Sequence, residues 1–134
     1  MAYGEQGIVE FINDMFDTYL ILSNDEFSTY DAEDNNYIAE IKIRDKYYDT
    51  KMIEALKLFS NYQISQKKGK NFIYIVKDPK AIYVFNISKI IQTLVKQDII
   101  PLECPETTIF KKHNKITKYS YGLEEYLAEK IIKQ

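Results

Sequence analysis

Apolar residues recur along the chain with two different periods, and the change of period predicts where helices and strands lie. Over residues 5–20 they return every three or four positions, as on one face of an amphipathic helix. Segments 26–31 and 37–44 flank the turn-forming "EDNN" and predict a β-hairpin. A second helix is predicted to begin at Asp49 or Thr50, whose side chains can cap it, and to end at "KKGK".

The second half of the chain predicts two more hairpins and two more helices. "NFIYIV" and "AIYVFNI" flank "KDPK" and predict the second hairpin, and a short third helix is predicted over 88–96. "TTIFKK" and "KITKYSYG" around "HN" predict the third hairpin, and a last helix should follow with one apolar face, formed by Leu123, Tyr126, Leu127 and Ile131. The resulting order, α-ββ-α-ββ-α-ββ-α, indicates an α/β (α+β) fold with a mixed β-sheet flanked by helices.

Length and composition favour one globular domain over residues 1–134. The chain has 134 residues, of which 46% are hydrophobic, which is enough for one core but not for two. Because no apolar run approaches the ~20 residues of a membrane span and the amino terminus lacks a secretion signal, we expect a cytoplasmic protein without membrane contact. Cys104 and His113 are the sole cysteine and histidine, so a metal would need oxygen ligands, as magnesium and manganese do.

Charge is divided unevenly between the two parts of the chain. Residues 1–41 hold ten acidic side chains and no Lys or Arg, whereas residues 42–134 hold ten acidic and all eighteen basic ones. The two parts therefore carry formal charges of −10 and +8. Two interpretations stay open: solvated surface charge that is unevenly distributed, or an acidic cation-binding cluster beside a basic surface for a polyanion.

The segment 37–44 carries charges inside an otherwise apolar strand. Strand alternation places Ile38, Glu40, Lys42 and Arg44 on one face. If the preceding turn has two or four residues, residue 31 lies opposite residue 38, and Asp31 is a diagonal neighbour of Glu40 at ~7–8 Å. Two carboxylates at that distance can share a cation, but a three-residue turn would send Asp31 to the other face. The structural alternative is a cross-strand salt bridge on a half-exposed sheet.

These residues resemble the PD-(D/E)XK nuclease superfamily. An aspartate, Asp31, precedes a turn and then Glu40-Ile41-Lys42 on the next strand, with an acidic helix before them and a long helix and hairpin after them. The chain has tyrosine where the family has proline before the aspartate. Arg44 and the following "YDTKMIEALK" are similar to small virus- and phage-encoded members. The resemblance implies a restriction-endonuclease-like fold.

The resemblance also implies a Mg²⁺- or Mn²⁺-dependent deoxyribonuclease that acts on DNA in preference to RNA. Asp31 and Glu40 would hold the metal, with the backbone carbonyl of Ile41 as a further ligand. Independently of the resemblance, Glu5 is a candidate extra ligand, because it lies on the core-facing stripe of the predicted first helix, where a carboxylate is costly unless it meets a cation. Lys42 would orient the attacking water or stabilise the transition state. Glu5 has a second interpretation, in which it complements the helix dipole in solvent.

Nine basic residues are candidates for contacts with the DNA backbone, and Lys57 among them is implied by the family lysine. They are Arg44, Lys57, Lys67, Lys68, Lys70, Lys111, Lys112, Lys115 and Lys118. Surface ion pairing or solubility explains the same residues without DNA. The alternative function is a catalytically inactive, nuclease-like module that binds nucleic acid or a virion or host protein. The sequence leaves open whether the enzyme is an endo- or an exonuclease and whether it forms a homodimer. A virus-encoded protein would act in the host cytoplasm.

Overall fold

The structure, a computed structural model, describes residues 4–25, 27–105 and 115–133. The helices within these ranges are α1 (Glu5–Met15), α2 (Ala55–Lys68) and α3 (Ile87–Leu94), with one 3-10 turn at Glu125–Leu127. The strands of the same ranges are β1 (Ile21–Leu22), β2 (Ala32–Glu33), β3 (Tyr37–Ile43), β4 (Thr50–Glu54), β5 (Asn71–Lys77), β6 (Ala81–Asn86), β7 (Ile100–Pro105), β8 (Lys115–Glu124) and β9 (Lys130–Lys133). No helix in these ranges is long and apolar enough to cross a membrane.

The strands form two sheets, so the fold is mixed α/β. The larger sheet has the order β1-β2-β3-β5-β6-β9, and the smaller one has the order β4-β8-β7. β3 and β5 are parallel, whereas the other neighbouring pairs are antiparallel. A parallel pair needs a crossover connection, and β4 followed by α2 supplies it.

Both faces of the six-stranded sheet are covered, so its central strands are buried on both sides. α1 covers one face through Ile8 and Ile12, which belong to the same apolar cluster as Ile41 of β3. α2, α3 and the smaller sheet cover the other face, where Ile38 joins the larger cluster. β3 therefore alternates as predicted, with Ile41 toward α1 and with Ile38 and Glu40 toward α2.

The first hairpin differs from its prediction in both extent and register. Residues 27–31 of the predicted first strand do not form a strand, and Thr29 instead exchanges two hydrogen bonds with the buried Asn61 side chain of α2. β2 pairs Ala32 with Ala39, which is two residues away from the predicted pairing. The turn still holds two residues, because the amide of Asp34 donates to the carbonyl of Tyr37. A register shift of two residues leaves each side chain on the same face of the sheet, because side chains alternate with a period of two.

The predicted start of the second helix is wrong, because residues 50–54 form β4. This strand pairs with β8 along its whole length, and α2 begins only at Ala55. Within β4, Lys51 and Ile53 are buried while their neighbours are partly exposed. A lysine at an inward position hides the period-2 alternation, so the segment resembles the start of a helix. The predicted end at "KKGK" is confirmed: Gly69 caps α2 with a φ of 68°.

A buried ion pair explains why that inward lysine is tolerated. Lys51 Nζ lies 3.0 Å from Asp78 Oδ2, with only 4% and 1% of the two side chains exposed. The ammonium also faces the rings of Tyr47 and Tyr83, at 4.4 and 4.1 Å from their centroids. Asp78 holds the β5–β6 turn by accepting two amide hydrogen bonds. The pair therefore connects the smaller sheet to the larger one.

The second hairpin is confirmed as β5 and β6, and the third helix as α3. The predicted last helix is wrong: β8 runs to Glu124, a 3-10 turn follows, and β9 joins the edge of the larger sheet through Ile131, opposite Tyr83. Backbone pairing with β6 overrides the helical spacing of its apolar residues. "KITKYSYG" lies in β8, whose antiparallel partner is β7, whereas "TTIFKK" lies outside the described residues.

Candidate active site

Glu40 lies near the centre of the larger sheet, on β3 between β2 and β5, and its side chain is 3% exposed. Its Oε2 atom accepts a hydrogen bond from the ammonium of Lys57 at 2.8 Å and lies 3.7 Å from that of Lys42. Lys57 reaches it from the first turn of α2. A carboxylate buried this deeply requires such partners, because an isolated buried charge is costly.

The electrostatics around Glu40 favour further positive charge. Burial is the main cause that raises the pKa of Glu40, and the charge of Asp31 acts in the same direction. Lys57 and Lys42 oppose this rise without cancelling it. Burial is the largest effect on the pKa of Lys57 and would lower it, but the hydrogen bond to Glu40 and the charges of Glu40, Asp31 and Glu54 together raise it. A cation that approached Glu40 would therefore stabilise its ionised form.

Asp31 lies just before β2, where its backbone and side chain both bind β3. Its amide donates to the carbonyl of Ala39, and its Oδ2 accepts from the amide of Ile41, each at 2.7 Å. Its charge is close enough to raise the pKa of Glu40 and of Glu5. The structure therefore brings Asp31 near Glu40, and it also gives Asp31 a structural role in holding the hairpin.

Glu5 begins α1 and is exposed, yet it belongs to the same charge cluster. Burial raises its pKa, as does the charge of Asp31, while Lys42 and Lys57 act in the opposite direction. Because Glu5 is exposed, the expectation that it lies on the core-facing stripe of α1 is wrong, whereas its position in the first turn suits the helix dipole. Ile41, the candidate carbonyl ligand, is buried on β3 opposite Ile75 of β5.

The acidic side chains near Glu40 supply oxygen donors. Within the described residues no group of three His, Cys, Asp or Glu side chains is arranged to hold a metal ion. Mg²⁺ commonly binds through only one or two carboxylates, keeps several waters and also takes substrate phosphate oxygens. Asp31 and Glu40 match that pattern chemically, because they are oxygen ligands whose mutual repulsion a cation would relieve.

A cavity of about 260 Å³ opens beside Glu40, between β3, α2 and the smaller sheet. Four of its lining residues are cationic, namely Lys42, Arg44, Lys57 and Lys118. The lining also contains the acidic residue Glu54, which pairs with Lys118 at 3.2 Å. The lining is therefore strongly basic, and three of the predicted DNA-contacting residues meet there.

Three other predicted DNA contacts, Lys67, Lys68 and Lys70, do not line this cavity. Lys68 and Lys70 pair with Glu33 at 2.8 and 2.6 Å, so they connect α2 and the start of β5 to the first hairpin. Lys67 is exposed at the end of α2. The side chains of the remaining three lie outside the described part of the chain: Lys111, Lys112 and Lys115.

The sequence did not indicate three residues that complete the cavity, Glu54, Tyr74 and Ser120. Tyr74 lies beside Glu40 in the β3–β5 register and donates its hydroxyl hydrogen bond to the carbonyl of Met52. Glu54 and Ser120 face each other across β4 and β8. No local pattern could identify them, since their positions depend on the pairing of strands far apart in the chain.

A comparison with protein-family models finds no family that matches the chain, and a comparison with characterised proteins finds no similar sequence.

Proposed function

We propose that this protein is a metal-dependent nuclease that hydrolyses phosphodiester bonds in DNA. The observation that carries the proposal is a buried carboxylate, Glu40, which lies near Asp31 and Lys42 and beside a basic cavity. The acidic residues suit a cation and the basic lining suits a phosphate, so the arrangement has a place for each partner of the reaction. Either charge type alone would not favour phosphodiester hydrolysis.

Asp31 and Glu40 would hold Mg²⁺ or Mn²⁺, with the Ile41 carbonyl and Glu5 as the further candidate ligands. The ion, when bound, would acidify a water molecule and neutralise charge on the phosphate. Lys42 lies 3.7 Å from Glu40, from where its ammonium can orient a nucleophile or stabilise a charged phosphate.

Lys57 and the other cations of the cavity have supporting roles in this proposal. Lys57 favours the ionised form of Glu40, because its hydrogen bond opposes the rise in pKa that burial causes. Arg44 and Lys118 also line this cavity, and their guanidinium and ammonium groups suit phosphate oxygens. They would position the DNA backbone without contacting the bond that breaks.

The fold is compatible with the restriction-endonuclease-like arrangement that we propose for it. An acidic α1 comes first, an antiparallel β2–β3 pair follows, and α2 then crosses over to β5, parallel to β3. Glu40 and Lys42 are on the central strand of that unit. The strands β4, β8 and β7 form a separate sheet beside the site and supply Glu54 and Lys118 to the cavity.

The direct test is magnesium-dependent cleavage of supercoiled, linear, single-stranded and branched DNA. We expect Lys42→Ala to lose ~100 to 1,000-fold in rate while it still binds metal, because one preorganised electrostatic group acts mainly in the transition state. Glu40→Ala should lose both cleavage and calorimetric metal binding. Lys89→Ala, which removes an exposed lysine outside the cavity, is the control. A fully active Lys42→Ala protein would refute this mechanism.

Metal binding can also be measured without cleavage. A ligand that binds only the folded state raises stability by about 2.7 kcal/mol when present at a hundred times its Kd. Magnesium or manganese should therefore raise the melting temperature of the wild-type protein but not that of Glu40→Ala. The absence of any shift at millimolar metal would count against the proposed metal site.

A second candidate function is a nuclease-like module that binds nucleic acid without cutting it. It is favoured by the 2.8 Å contact between Lys57 and Glu40, because a carboxylate already paired within the protein has less need of a metal ion. This alternative predicts salt-sensitive DNA binding, no cleavage and no thermal shift with magnesium. The two assays above therefore separate the candidates.

A further inference from the structure

The basic cavity beside Glu40 adjoins a second and larger one. The second cavity has a volume of about 1030 Å³, and Arg44 and Met52 line both cavities. The outward-facing residues of the smaller sheet connect them: Glu54 and Ser120 line the first cavity, and Gly122 lines the second. Together the two cavities form one groove, which we call the β4–β8 groove.

The two ends of the β4–β8 groove differ in charge. The end beside Glu40 carries four cationic side chains and the carboxylate of Glu54. The far end carries Arg44 and Lys46 together with three acidic residues, Asp45, Asp49 and Glu124. A phosphate is therefore attracted to the first end and repelled from the second.

The far end instead offers apolar surface to solvent. Tyr48 is 61% exposed and Ile100 is 38% exposed, and both line this end. Gly122 lines the same end, and a Cβ atom there would come within 3.1 Å of the Thr50 side chain and 3.8 Å of the Ile100 side chain. The absence of a side chain at Gly122 therefore leaves room for those two side chains. A neutral nucleobase can stack on an exposed aromatic ring such as that of Tyr48.

We infer that the β4–β8 groove binds a single-stranded nucleic acid, with a phosphate between Arg44 and Lys118 and a neighbouring base on the ring of Tyr48. This inference rests on the proposed function only in that the strand would be the nuclease substrate. The charge division orients the strand, since its backbone lies at the basic end and a neutral base occupies the end that repels phosphate.

The depth of Glu40 favours a single strand over a duplex. Its side chain is 3% exposed, and the lysines that surround it line a cavity of only about 260 Å³. A flexible strand can bend its backbone into such a recess. A duplex is stiff over ~150 base pairs and keeps its bases stacked inside, so a base could reach Tyr48 only after unpairing and unstacking, a cost that a single strand largely avoids.

The test is fluorescence anisotropy with a short labelled oligothymidylate, alone or annealed to its complement, in metal-free buffer with a chelator. The wild-type protein should bind the single strand more tightly than the duplex. Tyr48→Ala should weaken single-strand binding about 5- to 150-fold, the range that one stacked base contributes. Tyr48→Phe keeps the ring and should bind nearly as the wild type does. Tyr19→Ala, which removes a tyrosine that is 77% exposed and does not line the groove, should also leave binding unchanged.

The phosphate position has its own variant. Arg44→Ala should weaken binding and reduce its salt dependence by about one released counterion. Equal affinity for strand and duplex, or an unchanged affinity in Tyr48→Ala, would overturn the inference. These measurements require no metal and no cleavage. Loss of cleavage with retained single-strand preference would therefore refute only the proposed nuclease activity, and cleavage without that preference would refute only the groove assignment.

Discussion

Replacing Lys51 with methionine should destabilise the protein by about 3 to 5 kcal/mol, because it leaves the buried carboxylate of Asp78 without its cation. The two side chains are 4% and 1% exposed and lie 3.0 Å apart, so solvent cannot replace the missing charge. Methionine fills a similar volume between the rings of Tyr47 and Tyr83, which limits any cavity. The expected loss therefore reports mainly on the unpaired charge.

The destabilisation caused by Lys51→Met depends on pH, and the pKa of Asp78 determines whether it grows or shrinks as pH falls. Burial would raise that pKa, but the ammonium of Lys51 and two turn amides outweigh it and hold it below its ordinary value. A lowered folded-state pKa contributes stability that is complete above the unfolded-state pKa and is lost as pH falls through the folded-state value. The difference between wild type and Lys51→Met should therefore be largest near neutral pH and decrease below ~pH 4.

Urea unfolding and thermal melting can measure this difference. A loss of 3 to 5 kcal/mol corresponds to a decrease of about 10 to 20 °C in Tm for a domain of this size. The double variant Lys51→Met/Asp78→Asn should recover much of the loss, since it removes both charges. Lys89→Met, which breaks an exposed pair with Glu129, should cost under ~1 kcal/mol. A similarly small loss in Lys51→Met would refute the assignment of this pair as a buried connection between the sheets.

Three further predictions concern the parts of the fold around the site. Hydrogen bonds from Lys68 and Lys70 lower the pKa of Glu33 from 4.5 to about 2, so the free energy of unfolding should fall as pH decreases between these values. Urea unfolding should show a smaller fall in a Lys68→Met/Lys70→Met variant. Gly69→Ala should cost about 1 to 2 kcal/mol, because only glycine adopts a φ of 68° without strain, and a neutral result would exclude that cap geometry. Asn86→Ala should cost about 0.5 to 2 kcal/mol by removing the N-cap of α3, whereas unchanged unfolding would show that this cap is dispensable.

Short-range patterns in the sequence determined several elements correctly. The hairpin of β5 and β6 and helix α3 follow from uninterrupted periods and a turn that contains proline. The common face of Ile38, Glu40 and Lys42 is also determined locally, because the chain alternates strictly within a strand. Asp31 stays near Glu40 although the register shifted by two, because side-chain alternation has a period of two.

Tertiary structure decided the elements whose stability depends on distant partners. Residues 50–54 have apolar positions that suit a helix, but pairing with β8 and the ion pair between Lys51 and Asp78 make them a strand. The chain end likewise becomes β9 because β6 offers an unpaired edge. Neither result could be predicted from neighbouring residues, since backbone pairing over long separations overrides weak local propensity.

The candidate site divides in the same way. The sequence by itself indicated its candidate acidic residues and Lys42, because Glu40 and Lys42 are two apart on one strand and Asp31 precedes the adjoining turn. The basic cavity depended on the fold: the β3–β5 crossover brings Lys57 to Glu40, and the pairing of β4 with β8 brings Lys118 to Glu54. Glu40 and Lys57 are 17 positions apart, and Glu54 and Lys118 are 64 apart. No periodic pattern extends over such separations, so only the packing of helix and sheets could decide which charges meet.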